Sequence, residues 1–439
     1  MLGREKVLDI VRRAVEYSDA DQTQAAVEIG ESSLTRFANS MIHQNVSERN
    51  GGLAVKAIVG KRIGYAVTNK LDDDSIRAVV EKAVSFARNS GENPDFVSLP
   101  KPKPILEAET WDQRTADYSP EDRASAVGGL IDEGKARGAS AAGLLNNAYA
   151  ENAIVNSLGI EAYSADTVAR MQTVMTAGDG FGYADRISRR IGDFDTVEAG
   201  IEAADRSVRA QNPDAIEPGE YDVILLPYAT GDLLEYLSYL GFGALAVQEG
   251  RSFMKLGEKV VGDNITIWDD ALDPRGIPVA FDPEGVPKQR VDLIVNGVAN
   301  ALVYDSLTAH KEGRESTGHS TGGLGTYGPM AANMFMQPGE SSLDEMIAAT
   351  KYGVLVTRFH YTNVIHPTQV LITGMTRDGT FLIENGRITK PLKNMRFTDS
   401  VLRILSNTDM ISRDLVRQSC TVVPAIRAKG FRFSGTTEF

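Results

Sequence analysis

The chain has 439 residues, 46 Lys and Arg against 59 Asp and Glu, 42% hydrophobic residues and a single cysteine, Cys420. This composition excludes a disordered, collagenous or disulfide-stapled chain, and the length suits two or three domains. A net charge of −13 leaves no broad phosphate-binding face, so no direct nucleic-acid partner is expected.

Val7, Ile10, Val11, Ala14 and Val15 recur at helical spacing and predict an opening amphipathic helix with no apolar signal core before it. With one cysteine, that pattern leads us to expect a cytoplasmic protein. Ala25–Ile29, Leu53–Val59 and Ile63–Val67 read as an antiparallel meander broken at Asn50-Gly51-Gly52 and Gly60-Lys61. Asp72-Asp73-Asp74 then opens a second helix with an inward stripe of Ile76, Val79, Val80, Ala83 and Val84. Four prolines within 94–104 mark a linker.

The same order then returns: a helix from Pro120 to Arg137, strands Tyr149–Ala162 and Val168–Thr176, and a helix from Val197 to Gln211. Asn39-Ser40 precedes Gly64-Tyr65-Ala66 much as Asn156-Ser157 precedes Gly182-Tyr183-Ala184, the mark of a weak internal duplication. From Tyr221 the texture becomes a strand to Leu226, a long apolar helix over Gly231–Val247, and then strands. Asn296-Gly297 and Asn385-Gly386 each sit between β-forming runs as hairpin turns. The longest nearly apolar run, Leu237–Val247, is too short to cross a bilayer, so no membrane association is expected. The predicted organisation is α+β: domains at 1–105 and 106–216, the second a possible repeat of the first, and a β-rich, barrel-like domain over 217–439.

Three motifs bear on chemistry. Gly323-x-Gly325-x-x-Gly328 has the dinucleotide spacing but lacks a preceding strand, and Pro329 stands where a helix would open. Gly318-His319-Ser320-Thr321-Gly322 fits a nucleophile elbow, which makes a serine hydrolase using Ser320 one alternative. The five histidines, His43, His310, His319, His360 and His366, include no His-Glu pair on a helix. His360, His366 and Cys420 are therefore the candidate metal ligands of the other alternative, a self-sufficient metallopeptidase.

The segment Gly276-Ile-Pro-Val-Ala-Phe-Asp-Pro-Glu-Gly-Val-Pro287, with Thr308-Ala-His-Lys-Glu-Gly313 and Ser316-Thr-Gly-His319, closely resembles the TldD/PmbA family, the "modulator of DNA gyrase" proteins. Pro338-Gly-Glu-Ser-Ser342 and Leu382-Ile-Glu-Asn-Gly-Arg-Ile388 fit the same pattern, and the order of elements agrees along nearly the whole chain. The resemblance implies a two-subunit metallopeptidase enclosing a peptide channel, in which TldD carries a His-Glu-x-x-x-His zinc motif on the long helix early in the C-terminal domain. The matching helix here, from Gly231 onward, contains no histidine. The chain thus resembles the other type, TldE (PmbA). That implies no catalytic residue or cofactor of its own, zinc in a TldD-like partner subunit, an unfolded peptide substrate, and a dimer, either a heterodimer or a homodimer. Cys420 lies in a position similar to the family's C-terminal cysteine. Gly322, Gly323, Phe359 and Tyr361 are the candidate peptide-binding residues.

Overall fold

The computed structural model describes residues 1–436. Helix α1 (Arg4–Glu16) buries Val7, Leu8, Ile10, Val11 and Ala14 against a sheet that opens with β1 (Gln22–Ala38), β2 (Met41–Val59) and β3 (Arg62–Thr68). Helix α2 (Asp73–Asn89) follows, its first turn capped by the Asp72 side chain, which accepts from Ser75 N–H. After the proline-rich coil and a single turn, α3 (Gln113–Ala116), come α4 (Pro120–Ala136), β4 (Ser140–Asn156), β5 (Glu161–Ala177), β6 (Gly180–Ser188) and α5 (Thr196–Arg209). Ser119 and Asp122 form a capping box on α4, with Pro120 in the first helical position.

Residues 1–105 and 106–216 each supply three strands to one antiparallel sheet, ordered β3-β2-β1-β4-β5-β6. The seam is the long β1–β4 pairing, from Gln24 opposite Asn156 to Phe37 opposite Gly143. The sequence echo has a packing cause. A Cβ on Gly64 would stand 2.0 Å from Ala83 O on α2, and one on Gly182 would stand 2.0 Å from Ala203 O on α5. Both glycines let a helix lie directly on its strand.

Three expectations need correction. Asn50-Gly51-Gly52 is not a break: Gly51 and Gly52 pair with Ile29 and Glu28 inside β2, and the turn is Asn39-Ser40, with φ of 50° and 56°. Tyr149–Ala162 is not one strand, because the Asn156 side chain accepts from Leu158 and Ile160 N–H and folds the chain back between β4 and β5. The helix over Gly231–Val247 is in three pieces: α6 (Pro227–Leu237), a π-helical turn (Ser238–Phe242) and α7 (Ala244–Gln248). Gly241 packs against the Phe253 ring, where a Cβ would come within 2.0 Å, and Gly243 is extended against Pro329 O.

The second sheet begins with β7 (Gly219–Leu225), ahead of α6, and runs through β8 (Ile267–Asp269), β9 (Val291–Val295) and β10 (Val298–Ala299). Then come α8 (Ser306–Lys311), β11 (Met334–Met336), α9 (Leu343–Ala348), β12 (Tyr352–His366), β13 (Leu371–Glu384), β14 (Arg387–Leu392), β15 (Met395–Ser400), α10 (Val401–Ser406), β16 (Thr408–Gln418) and β17 (Thr421–Thr436). Its order is β10-β9-β8-β11-β17-β15-β13-β12-β7, and β17 also pairs with β7. β7, β12, β13, β15 and β17 therefore close into a ring, the barrel of this α+β fold. Leu233, Leu234 and Leu237 of α6 belong to the same core as Val223, Val356, Phe397 and Ile426 of the ring strands. No helix among the described residues is long and apolar enough to cross a membrane.

Candidate functional site

Burial along β5 alternates with the pleat. Ala169, Met171, Thr173 and Met175 face the helices, while Arg170, Gln172 and Val174 are half-buried on the other face. That second face carries no helix and turns its polar side chains toward α6 and the start of the barrel. Arg170 pairs with Asp185 at 2.6 Å, Tyr183 donates to the same carboxylate at 3.1 Å, and Gln172 donates to Tyr183. From the barrel side, Arg358 lies over the Tyr183 ring at 4.2 Å and pairs with Asp378 at 2.5 Å.

Helix α6 faces this network with two carboxyls one turn apart, Asp232 and Glu235. Burial, and then the Glu235 charge, push the Asp232 carboxyl up to about 8, against the hydrogen bond that it accepts from Phe359 N–H. Asp232 is closely walled by protein yet keeps partial access to solvent, and Glu235 is exposed at the rim. Burial raises Glu235 as well, while Arg170 and a hydrogen bond from Ser419 favour its charged form. Cys420, in the turn between β16 and β17, adjoins Glu235, Arg170 and Arg189. Burial raises its thiol pKa.

The donor set does not fit zinc. Among the described residues, no group of three or more His, Cys, Asp or Glu side chains could hold a metal ion. His360 is half-buried, its imidazole pKa lowered by burial and then by Arg377 and Arg358, whereas His366 is exposed and bonded to Thr368 Oγ1 at 3.2 Å. Tyr361, with φ +51°, and two breaks in register separate them, so the structure does not assemble His360, His366 and Cys420 into a ligand set.

The serine motif is also occupied by structure. His319 is buried, with Nε2 2.9 Å from Asp269 Oδ1 and Nδ1 2.9 Å from both the carbonyl and the hydroxyl oxygen of Thr317; burial and then Lys288 lower its pKa, against Asp269. Ser320 is held by its own N–H to Asp282, and its hydroxyl accepts from Gly322 N–H. No strand leads into Gly318 and no helix follows Gly322, so the elbow is not formed.

Of the candidate peptide contacts, Tyr361 is 77% exposed, and Gly322 and Gly323 lie in the loop at 318–328 with positive φ. Phe359 is a correction. It is 3% exposed and packs on Phe397 and Phe431 at 4.4 and 6.1 Å, so its ring belongs to the barrel core. Sequence reasoning passed over Asp232 and Glu235, although two carboxyls three residues apart in an otherwise apolar helix were a usable signal. The Arg170–Asp185–Tyr183–Arg358 network carried no such signal. Further along the open sheet face, Glu31, Glu48, Tyr149, Asp166 and Arg189 line a cavity of about 250 Å³.

This architecture coincides with known proteins. Residues 218–435 match the PmbA/TldA metallopeptidase C-terminal domain, and residues 24–87 match PmbA/TldA metallopeptidase domain 1, together well over half of the chain. The chain belongs to the TldD/PmbA family. Within it, a metalloprotease of Methanothermobacter thermautotrophicus is 28% identical over 60% of this chain and 60% of its own length. The metalloprotease PmbA of Escherichia coli O157:H7 is 24% identical over 92% of this chain and 89% of its own. The crystal structure of TldE from Thermococcus kodakarensis superposes with a TM-score of 0.88 at 21% identity, covering 97% of this chain and 99% of that one, a likeness of fold.

Proposed function

We propose that this chain is the TldE/PmbA-like subunit of a cytosolic TldD/TldE-type metallopeptidase, acting in proteolysis or peptide maturation without zinc of its own. The observation that carries the reading is the face of α6 beside Cys420, where Asp232 and Glu235 stand and no histidine does. The residues gathered there bind and position; none forms a nucleophile–base pair. An extended unfolded peptide is held largely through backbone hydrogen bonds to a strand edge, with Tyr361, Gly322 and Gly323 as further contacts. A TldD-like subunit with a His-Glu-x-x-x-His helix supplies the zinc, and the two form a dimer around the peptide.

The test is metal content of the tag-free chain together with casein or leader-peptide cleavage, with and without a coexpressed TldD-like subunit. Near-zero zinc, no cleavage alone and cleavage in the mixture are expected. Stoichiometric zinc with chelator-sensitive cleavage by the chain alone would replace this reading with the self-sufficient metallopeptidase.

A further inference from the structure

A second, smaller cavity, of about 40 Å³, lies where the first sheet meets the barrel half of the molecule. Lys56 and Ile63 of the first sheet, the coil at 96–100, Glu284, the start of α8 and the loop at 320–325 form its walls. That volume takes one or two bodies the size of water and no organic group.

Its polar groups are buried and only partly used. Glu284, 8% exposed, accepts from Ser306 N–H at Oε2, at 3.0 Å. Asp305, 3% exposed, caps α8 through Oδ1, which accepts from the N–H and the hydroxyl of Thr308. Among the described residues nothing donates to Glu284 Oε1 or Asp305 Oδ2, and the buried hydroxyl of Ser306, itself 7% exposed, has no partner at all. Asp282 draws the remaining wall in: its carboxylate accepts from Glu284 N–H at 2.9 Å and from Ser320 N–H at 2.8 Å. The Ser320 hydroxyl accepts from Gly322 N–H and has a lone pair to spare.

A buried carboxylate is held by a cation or by a full set of hydrogen bonds. Neither Glu284 nor Asp305 makes an ion pair among the described residues. Lys288, buried nearby, acts on Asp269 and Asp282, and Lys56 on the cavity wall is half-buried and in no ion pair. His310 also lines the cavity, yet it does not join the two carboxylates in a set of three that could hold a metal ion. The usable donors are therefore oxygens alone, carboxylate and hydroxyl, a set that suits calcium and not zinc. Magnesium keeps several waters, for which this space has no room.

We propose that this cavity binds one hard divalent cation of the calcium class, held by Glu284 Oε1, Asp305 Oδ2 and the hydroxyls of Ser306 and Ser320, with water completing the shell. Bound there, the cation ties the loop that carries Gly322 and Gly323 to the first sheet. The site takes no part in peptide cleavage and needs no partner subunit.

The experiment is equilibrium dialysis of the chelator-treated full chain against radiolabelled calcium, with magnesium as competitor. About one calcium per chain should bind with a Kd on the order of 0.1–1 mM, and magnesium at least about tenfold more weakly. Glu284→Gln keeps an acceptor for Ser306 N–H, and Asp305→Asn keeps a good helix cap, so both variants should fold. Each should weaken calcium at least about tenfold, the loss of one charged ligand. Ser306→Ala should weaken it about threefold, and Glu81→Gln, on the exposed face of α2, should bind as wild type. No calcium retained at about ten times the expected Kd would mean that water alone fills the cavity, and would overturn the assignment. Wild-type affinity in both carboxylate variants, or magnesium binding as tightly as calcium, would overturn it too. The subunit reading is judged on zinc and on cleavage in the mixture, so it stands or falls separately.

Discussion

Asp232→Asn gives a pH-dependent stability difference whose sign is fixed by the surroundings of α6. In the folded chain the carboxyl titrates near 8 rather than its ordinary 3.8. Between those values the folded state keeps a proton that the unfolded chain has released. Stability from this group is therefore complete below about pH 4, falls as the pH rises through the folded pKa, and is level above it. At about 1.4 kcal/mol per pH unit, the interval would weigh about 6 kcal/mol for a fully sealed carboxyl. An assay from pH 5 upward covers about three of those pH units, or about 4 kcal/mol, and partial solvent access reduces this to an expected value of about 2 kcal/mol. Asparagine has no proton to lose. Urea unfolding of wild type and Asp232→Asn at pH 5 and pH 9 should thus show the variant gaining about 2 kcal/mol on wild type at the higher pH. A stability gap of the same size at both pH values would refute the reasoning.

Gly182→Ala forces a Cβ against Ala203 O on α5 and should cost about 2–3 kcal/mol or more, whereas Gly178→Ala, in an open turn, should show mainly the cost of its positive φ. Phe359→Ala empties a site shared with Phe397 and Phe431; a loss of about 3–5 kcal/mol in unfolding experiments would mark it as core. Arg123 is 1% exposed and donates to Thr35, Tyr118, Asn147 and Asn45, none of them charged, so Arg123→Ala should destabilise by about 2–4 kcal/mol in thermal or urea unfolding. Ser320→Ala should leave cleavage by a reconstituted mixture unchanged, because no histidine contacts that hydroxyl.

Much of the fold was legible where periodicity and turn chemistry agreed. Helices α1 and α2 followed from their apolar stripes, with Asp72-Asp73-Asp74 opening the second, the helices expected at 120–137 and 197–211 are α4 and α5, and both Asn-Gly hairpins formed with positive φ at Asn296 and Asn385. Errors arose where a glycine or asparagine had two local readings. Gly51-Gly52 is strand because β1 pairs it with Ile29 and Glu28, a partner that no local pattern reveals. Asn156 turns the chain only because its side chain caps Leu158 and Ile160. For the site, the absence of histidine from α6 could be read directly from the sequence. The meeting of Arg170, Tyr183 and Arg358 could not, since those residues lie up to 188 positions apart and come together only when the two sheets pack.

The ring closed by β17 also bears on how the protein is made. β7 must wait for a partner synthesised about 200 residues later, and β17 alone pairs with β7, β11, β15 and β16. During synthesis the first sheet can complete itself from contiguous chain, while the barrel strands emerge with unsatisfied edges until β17 arrives. Such long-range closure is slow and leaves strand edges open to wrong pairing. The six-stranded sheet would then act as the early, stable platform against which the second half of the molecule finishes folding.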